Sequence, residues 1–187
     1  MDSRTVELID LLESFRDAEY IGEPVSQLEH ALQTAELARA ARAPENEVLA
    51  ALLHDLGHLC APEDAPRMDE LGVLEHEGIG ADRLADLGFR PEVTDLVRSH
   101  VAAKRYLVTT RPGYLESLSE ASLGTLRHQG GPMADAERAA FDADPLRDAK
   151  LRVRSWDEQA KVEGLVVPGI RSYAEMIDAH LNEKSVP

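Results

Sequence analysis

The stretch ALLHDLGH, residues 51–58, decides the fold. It sets a histidine and an aspartate side by side at the end of an apolar run, with a second histidine four residues after the first. A carboxylate in such a setting is costly to bury unless something pairs with it. We read His54 and Asp55 as metal ligands, and His58, one nominal turn beyond His54, as facing a bound anion. The helix that carries them opens after Pro44, a residue suited to a first turn, and runs through ENEVLAALLHD with Gly57 as its exit.

Outward from this helix the pattern stays helical, with no alternating strand. Val6, Ile9, Leu12 and Phe15 recur at helical spacing. Ser26 and Glu29 make a capping box that opens a helix reaching about Ala43. After the Pro-rich acidic loop CAPEDAPRMDELG comes a helix from about Val73 to Leu87, stopped by Gly88. Pro91 opens the next, where Val93, Leu96, Val97 and His100 share a face. Beyond Thr109, short helices broken by turns lead to a stop at Gly130, Gly131 and Pro132. Further helices are expected over Ala134–Phe141, Leu146–Lys161 and Tyr173–Asn182. With neither repeat nor low-complexity linker, the reading is all-α: one helical bundle over residues 1–187 with a dinuclear metal site between its helices.

The histidines give that bundle its chemistry. His30, His54, His76 and His100 fall on or beside the apolar faces of four separate predicted helices, the arrangement by which bundles build metal sites. Asp55 adds the anion, and a carboxylate can bridge two cations and lower their repulsion. His128 and His180 belong to no motif.

Composition limits what such a site serves. The chain has 35 Asp and Glu against 20 Lys and Arg, a net charge of −15, which disfavours binding to nucleic acid or anionic lipid. An anionic substrate therefore needs its own small basic pocket. No apolar run approaches the roughly 20 residues that cross a bilayer. The acidic N-terminal stretch MDSRTVELIDLLESF does not read as a signal peptide, and the single Cys60 suits a reducing compartment; a cytoplasmic location is expected.

The ordered set His30, His54-Asp55, His76 and His100 resembles the HD-domain superfamily of helical, metal-dependent proteins. Further stretches, YIGEPVSQLEHALQTA, LEHEGIGADRL, SHVAAKRYL, SEASLGTLRHQGGPM and RSWDEQAK, resemble its mixed-valence diiron oxygenases, which cleave carbon–phosphorus bonds. That resemblance implies two irons, an Fe(II)/Fe(III) pair with O2 as co-substrate. It makes His30, His54 and Asp157 ligands of one iron and His76 and His100 ligands of the other, with Asp55 between them. It also implies a phosphonate pocket of His58, Lys104, Ser122, Thr125 and Arg154. Lys104 lies one turn beyond His100 and Arg154 three residues before Asp157, so each can share a face with its ligand.

Tyr20 and Glu23, in a loop before the His30 helix, take catalytic roles by the same resemblance. Tyrosine guards an iron until substrate arrives, and glutamate receives the substrate's amino end. The implied substrate is a 1-hydroxy-2-(substituted)aminoethylphosphonate, the products phosphate and glycine or an N-methylated glycine. A partner hydroxylase would supply the hydroxylated substrate. Residue by residue, the alternatives stay ordinary: a solvated charge for Asp157, Lys104 or Arg154, helix capping for Ser122 and Thr125, and an aromatic plug for Tyr20. For the whole chain they are a phosphohydrolase using the same metals to activate water, or a regulatory module that binds no iron.

Overall fold

The computed structural model describes residues 1–20 and 22–183, and every regular element among them is helical. The helices are α1 (Ser3–Ser14), α2 (Gln27–Ala40), α3 (Glu45–Leu53), α4 (Gly57–Cys60), α5 (His76–Asp86) and α6 (Pro91–Thr110). They continue as α7 (Tyr114–Ser117), α8 (Glu120–His128), α9 (Asp135–Asp142), α10 (Arg147–Gln159) and α11 (Ala174–Asn182). Extended pairing is confined to two isolated bridges, Glu19 with Ser26 and Arg67 with Val73. No described helix is long and apolar enough to cross a membrane.

The central element is α3. All its residues from Glu47 to Leu53 are buried, because α2, α6 and α10 pack around it. A helix enclosed on all sides must be apolar on all sides, which is what VLAALL provides. Its one buried charge, Glu47, accepts from Arg152 Nε and Nη2 at 2.8 and 2.6 Å. That two-pronged pair fixes α10 against α3, and with it the residues α10 contributes to the site. On the other side α5 packs along α6, and α4 lies on α5.

Gly57 does not end the helix, as the sequence suggested. Already after Leu53 the winding tightens, with Leu56 N–H donating to the Leu53 carbonyl and His58 N–H to the Asp55 carbonyl. Gly57 then begins α4 and serves a contact: a Cβ there would stand 1.9 Å from the His76 carbonyl oxygen. A Cβ on Gly80 would stand 2.9 Å from the Gly57 nitrogen. Two facing glycines thus let α4 and α5 touch backbone to backbone, which brings the His54-Asp55 corner next to His76.

Other boundaries differ for local reasons. The capping box forms, with Glu29 N–H donating to Ser26 Oγ and Ser26 N–H to Glu29 Oε2. Yet α2 stops at Ala40, because Arg42 turns left-handed (φ 56°) and Ala43 N–H closes back on the Ala38 carbonyl. Helix α5 starts at His76 instead of Val73, since Leu74 N–H is held by the Pro66 carbonyl in the preceding loop. On α1 the buried face is Thr5, Leu8, Ile9 and Leu12, while Val6 is exposed. Pro91 occupies the first turn of α6 and Gly88 the left-handed stop before it (φ 93°), as expected.

Candidate metal centre and anion pocket

Four imidazoles and one carboxylate converge where α2, α5, α6 and the end of α3 meet. The rings pair through their Nε2 atoms, His30 with His54 at 3.1 Å and His76 with His100 at 3.0 Å. Asp55 lies between the pairs and divides its oxygens. Oδ2 faces His54 and His30 at 3.2 and 3.6 Å, and Oδ1 faces His76 and His100 at 3.3 and 3.4 Å.

The backbone sets the tautomers. Each of the four rings has Nδ1 on a main-chain carbonyl: His30 on Ala160 (2.8 Å), His54 on Ala51 (2.9 Å), His76 on Val73 (3.1 Å) and His100 on Val97 (2.8 Å). A carbonyl accepts only, so Nδ1 carries the proton and the Nε2 lone pair points inward, the orientation that metal-ligating histidines adopt. Lone pairs facing one another across 3 Å need a positive charge between them. Asp55 Oδ2 is moreover a buried oxygen to which no described group donates. These donors fit divalent or trivalent cations, and the cluster could hold metal. Without a metal, burial works against a charge on His54, but Asp55 outweighs it and lifts the ring to about 9. Burial likewise opposes the charge on Asp55, which His54 and the other rings hold well below the usual carboxylate range.

The half around His30 has a further donor. Asp157 Oδ1, from α10, lies 3.4 Å from His30 Nε2 and 3.9 Å from His54 Nε2. It is buried, so the solvated-charge alternative does not describe it. Its other oxygen accepts from Arg154 Nη1 at 2.5 Å, and against the cost of burial this guanidinium keeps Asp157 ionised. Arg154 also donates from Nη2 to Glu158 (3.0 Å) and from Nε to the Tyr114 hydroxyl (3.1 Å), which in turn donates to Glu158. Arg154 also lines the cleft, and these three bonds use three of its five N–H groups.

The cleft, about 550 Å³, opens from Asp55, His76 and His100 toward α8. Lys104 is 4% exposed, and its ammonium donates to Thr125 Oγ1 at 2.8 Å, a neutral partner. Burial, then the nearby Arg154 charge, lowers its pKa to about 7. Ser122 and Thr125 both line the cleft, and neither caps α8; that task falls to Ser119, which accepts from Ser122 N–H. His58 stacks on His76 with ring centroids 3.9 Å apart. Unlike the four inward rings, it accepts through Nδ1, from Val73 N–H at 3.1 Å, so its proton sits on Nε2. Burial and then the His76 charge push it down to about 3, which keeps it a neutral donor.

Tyr20 lies flat on His30, with centroids 4.0 Å apart and 13° between planes. Burial, and then the charges of Asp55 and Asp157, raise its phenol. Glu23 lines the same cleft, but its carboxylate is already bound by Lys161 Nζ and Ser119 Oγ, each at 2.6 Å. Sequence reasoning missed Lys161, although it ends the motif RSWDEQAK, because a lysine closing a helix looks solvated; α10 in fact ends at Gln159. It read Gln129, with Gly130 and Gly131, only as a tight turn near the site. That side chain lines the cleft with a buried, unpaired Oε1. His128 and His180 lie elsewhere, His128 on exposed Asp69 and His180 accepting from Arg90 N–H.

An all-helical bundle with this ordered His/Asp set defines a class, and comparison with known families identifies it. The HD-domain model matches residues 28–147, and the chain belongs to the HD-domain family. It is 41% identical over 169 residues to [1-hydroxy-2-(trimethylamino)ethyl]phosphonate dioxygenase (glycine-betaine-forming) of Leisingera caerulea, covering 88% of this chain and 86% of that one. To hydroxymethylphosphonate dioxygenase of Gimesia maris it is 39% identical over 179 residues, 95% of this chain and 88% of that one. An uncharacterized protein of Acanthamoeba polyphaga mimivirus is 38% identical over 179 residues, 95% and 82% of the two chains.

Proposed function

We propose that the chain is an O2-dependent diiron dioxygenase that cleaves the C–P bond of a 1-hydroxyphosphonate. Two relatives named as phosphonate dioxygenases support the class of reaction. The observation that carries it is local: a buried ammonium, Lys104, with no anionic hydrogen-bond partner among the described residues, set beside a cluster of metal donors. A phosphonate dianion supplies the missing counter-charge. In this reading His30, His54 and Asp157 would hold one iron and His76 and His100 the other, with Asp55 facing both. A redox-active pair there supplies the electron transfer that lets O2 react with a C–H bond.

The chain's own residues position the substrate. Lys104 and the Thr125 and Ser122 hydroxyls take the phosphonate, and His58 offers Nε2–H from the opposite wall. The Tyr20 phenol, beside Asp55 and over His30, withdraws as the substrate's hydroxyl approaches. The reaction balances without an outside reductant: R–CH(OH)–PO3(2−) and O2 give R–COO(−), HPO4(2−) and a proton. Carbon loses four electrons and O2 gains them. The acid follows from the carbon chain: glycine from an aminated substrate, glycine betaine from its trimethylated analogue, formate from hydroxymethylphosphonate. Since the hydroxyl must be present beforehand, a hydroxylase acting on the parent phosphonate is the preceding reaction.

The test is phosphate release from these three hydroxyphosphonates by iron-loaded protein, with and without O2. Release with matched O2 uptake is expected from at least one. Release that proceeds equally under nitrogen, or only from phosphate monoesters, would instead make the chain a phosphohydrolase.

A further inference from the structure

Lys161 lies outside the His/Asp cluster, on the side of the cleft where Ser122 separates it from Lys104 and Thr125. It follows the end of α10, where both its chain neighbours are tied down. The Ala160 carbonyl accepts from His30 Nδ1, and Val162 exchanges hydrogen bonds of 2.8 and 3.0 Å with the Gln33 amide. From this fixed stem the ammonium crosses to Glu23 Oε1 at 2.6 Å, with the Ser119 and Ser122 hydroxyls at 3.3 and 3.4 Å. The two side chains are 15% and 8% exposed, so the pair is far less screened than one on the surface. The two lysines of the cleft therefore differ. Lys104 rests on a neutral hydroxyl and leaves its charge for a ligand, whereas Lys161 is matched by a carboxylate.

We propose that the Lys161–Glu23 pair determines specificity at the far end of the substrate, selecting 1-hydroxyphosphonates that carry no positive charge on the carbon chain. The inference rests on the proposed reaction and narrows its substrate. Glu23 alone would attract an ammonium. With Lys161 seated on it, an incoming cation meets like charge as well as opposite charge, and the gain largely cancels. Lys161 and Ser119 both donate to Oε1, so the charge of Glu23 is already matched within the protein before an amino group arrives. A hydroxyl or hydrogen at the far end leaves the pair intact.

The test measures binding without turnover. Metal-loaded protein under nitrogen is titrated calorimetrically with 2-amino-1-hydroxyethylphosphonate and with 1,2-dihydroxyethylphosphonate, which replaces the ammonium by a hydroxyl. The wild-type protein is expected to bind the dihydroxy compound at least as tightly. Lys161→Met is expected to shift the affinity ratio toward the ammonium compound by roughly tenfold or more, and Glu23→Gln to shift it the other way. The double variant, uncharged on both sides and spared a lone buried charge, is expected to return near the wild-type ratio.

An unchanged ratio in Lys161→Met overturns the proposal. So does an equal loss for both compounds, which would make Lys161 a phosphonate ligand. Tighter wild-type binding of the ammonium compound, or binding of neither, overturns it as well. Phosphate release in air is scored separately: ratios that move as expected without O2-dependent release would defeat the reaction and leave the role of the pair standing.

Discussion

The two halves of the His/Asp cluster share Asp55 but are built differently. The half around His30 and His54 has its own carboxylate, Asp157, held by Arg154, and is closed by the Tyr20 ring. Among the described residues the half around His76 and His100 has no second carboxylate at its Nε2 atoms, and it faces Lys104 and the hydroxyls of α8. In the proposed function one half keeps its metal and the other meets the substrate. Charge placement agrees: Arg154 is paired with Asp157, while Lys104 rests on a neutral hydroxyl. An active site needs both properties, and placing them on opposite oxygens of one carboxylate supplies both.

The comparison breaks most completely at Asp55. Asp55→Ala is expected to lose both metals and all turnover, because each half then loses a donor and the repulsion between cations is no longer offset. Elemental analysis that still found two irons per chain would remove the bridging role. Next in size is His76→Ala, expected to lose one of the two ions and retain the other on His30, His54 and Asp157. Metal titration reads this directly, and loss of both ions would mean that the halves do not bind independently.

Much of this asymmetry was legible in the sequence, and the part that was not has a common cause. His30, His54, His76 and His100 could be placed because helical spacing puts each on or beside an apolar face, and apolar faces turn inward. Ser26, Glu29 and Pro91 act within one helical turn, so their roles follow from neighbours in the chain. Gly57 was misread because its reason lies in α5: the His76 carbonyl that excludes a Cβ is nineteen residues away. Arg154 and Glu23 were identified as site residues, but their partners within the protein were not. Sequence shows a charge, not which opposite charge folding brings to it, and Asp157, Glu158 and Lys161 claim them first. Lys161 itself carries no signal of burial, since only its anchored neighbours Ala160 and Val162 turn it inward.

The ligand-facing half is sharpened by Lys104. Lys104→Met is expected to raise KM with little change in kcat, at a cost of about 1.5–3 kcal/mol for a lost charge-assisted hydrogen bond. A kcat effect of equal size would place the lysine on the transition state instead. Its titration gives the smallest and most local test. Burial and the Arg154 charge leave this amine at about 7 in the free protein, so the ammonium is present below that pH and lost above it. A dianion binds the ammonium form, so KM is expected to rise as pH climbs from 7 toward 8, and Lys104→Met to lack that rise. His58, neutral throughout because it lies near 3, contributes no slope over the same range. A KM that stays flat in the wild-type protein would mean that the phosphonate is held by the metal-facing half, and that Lys104 is only one wall of the cleft.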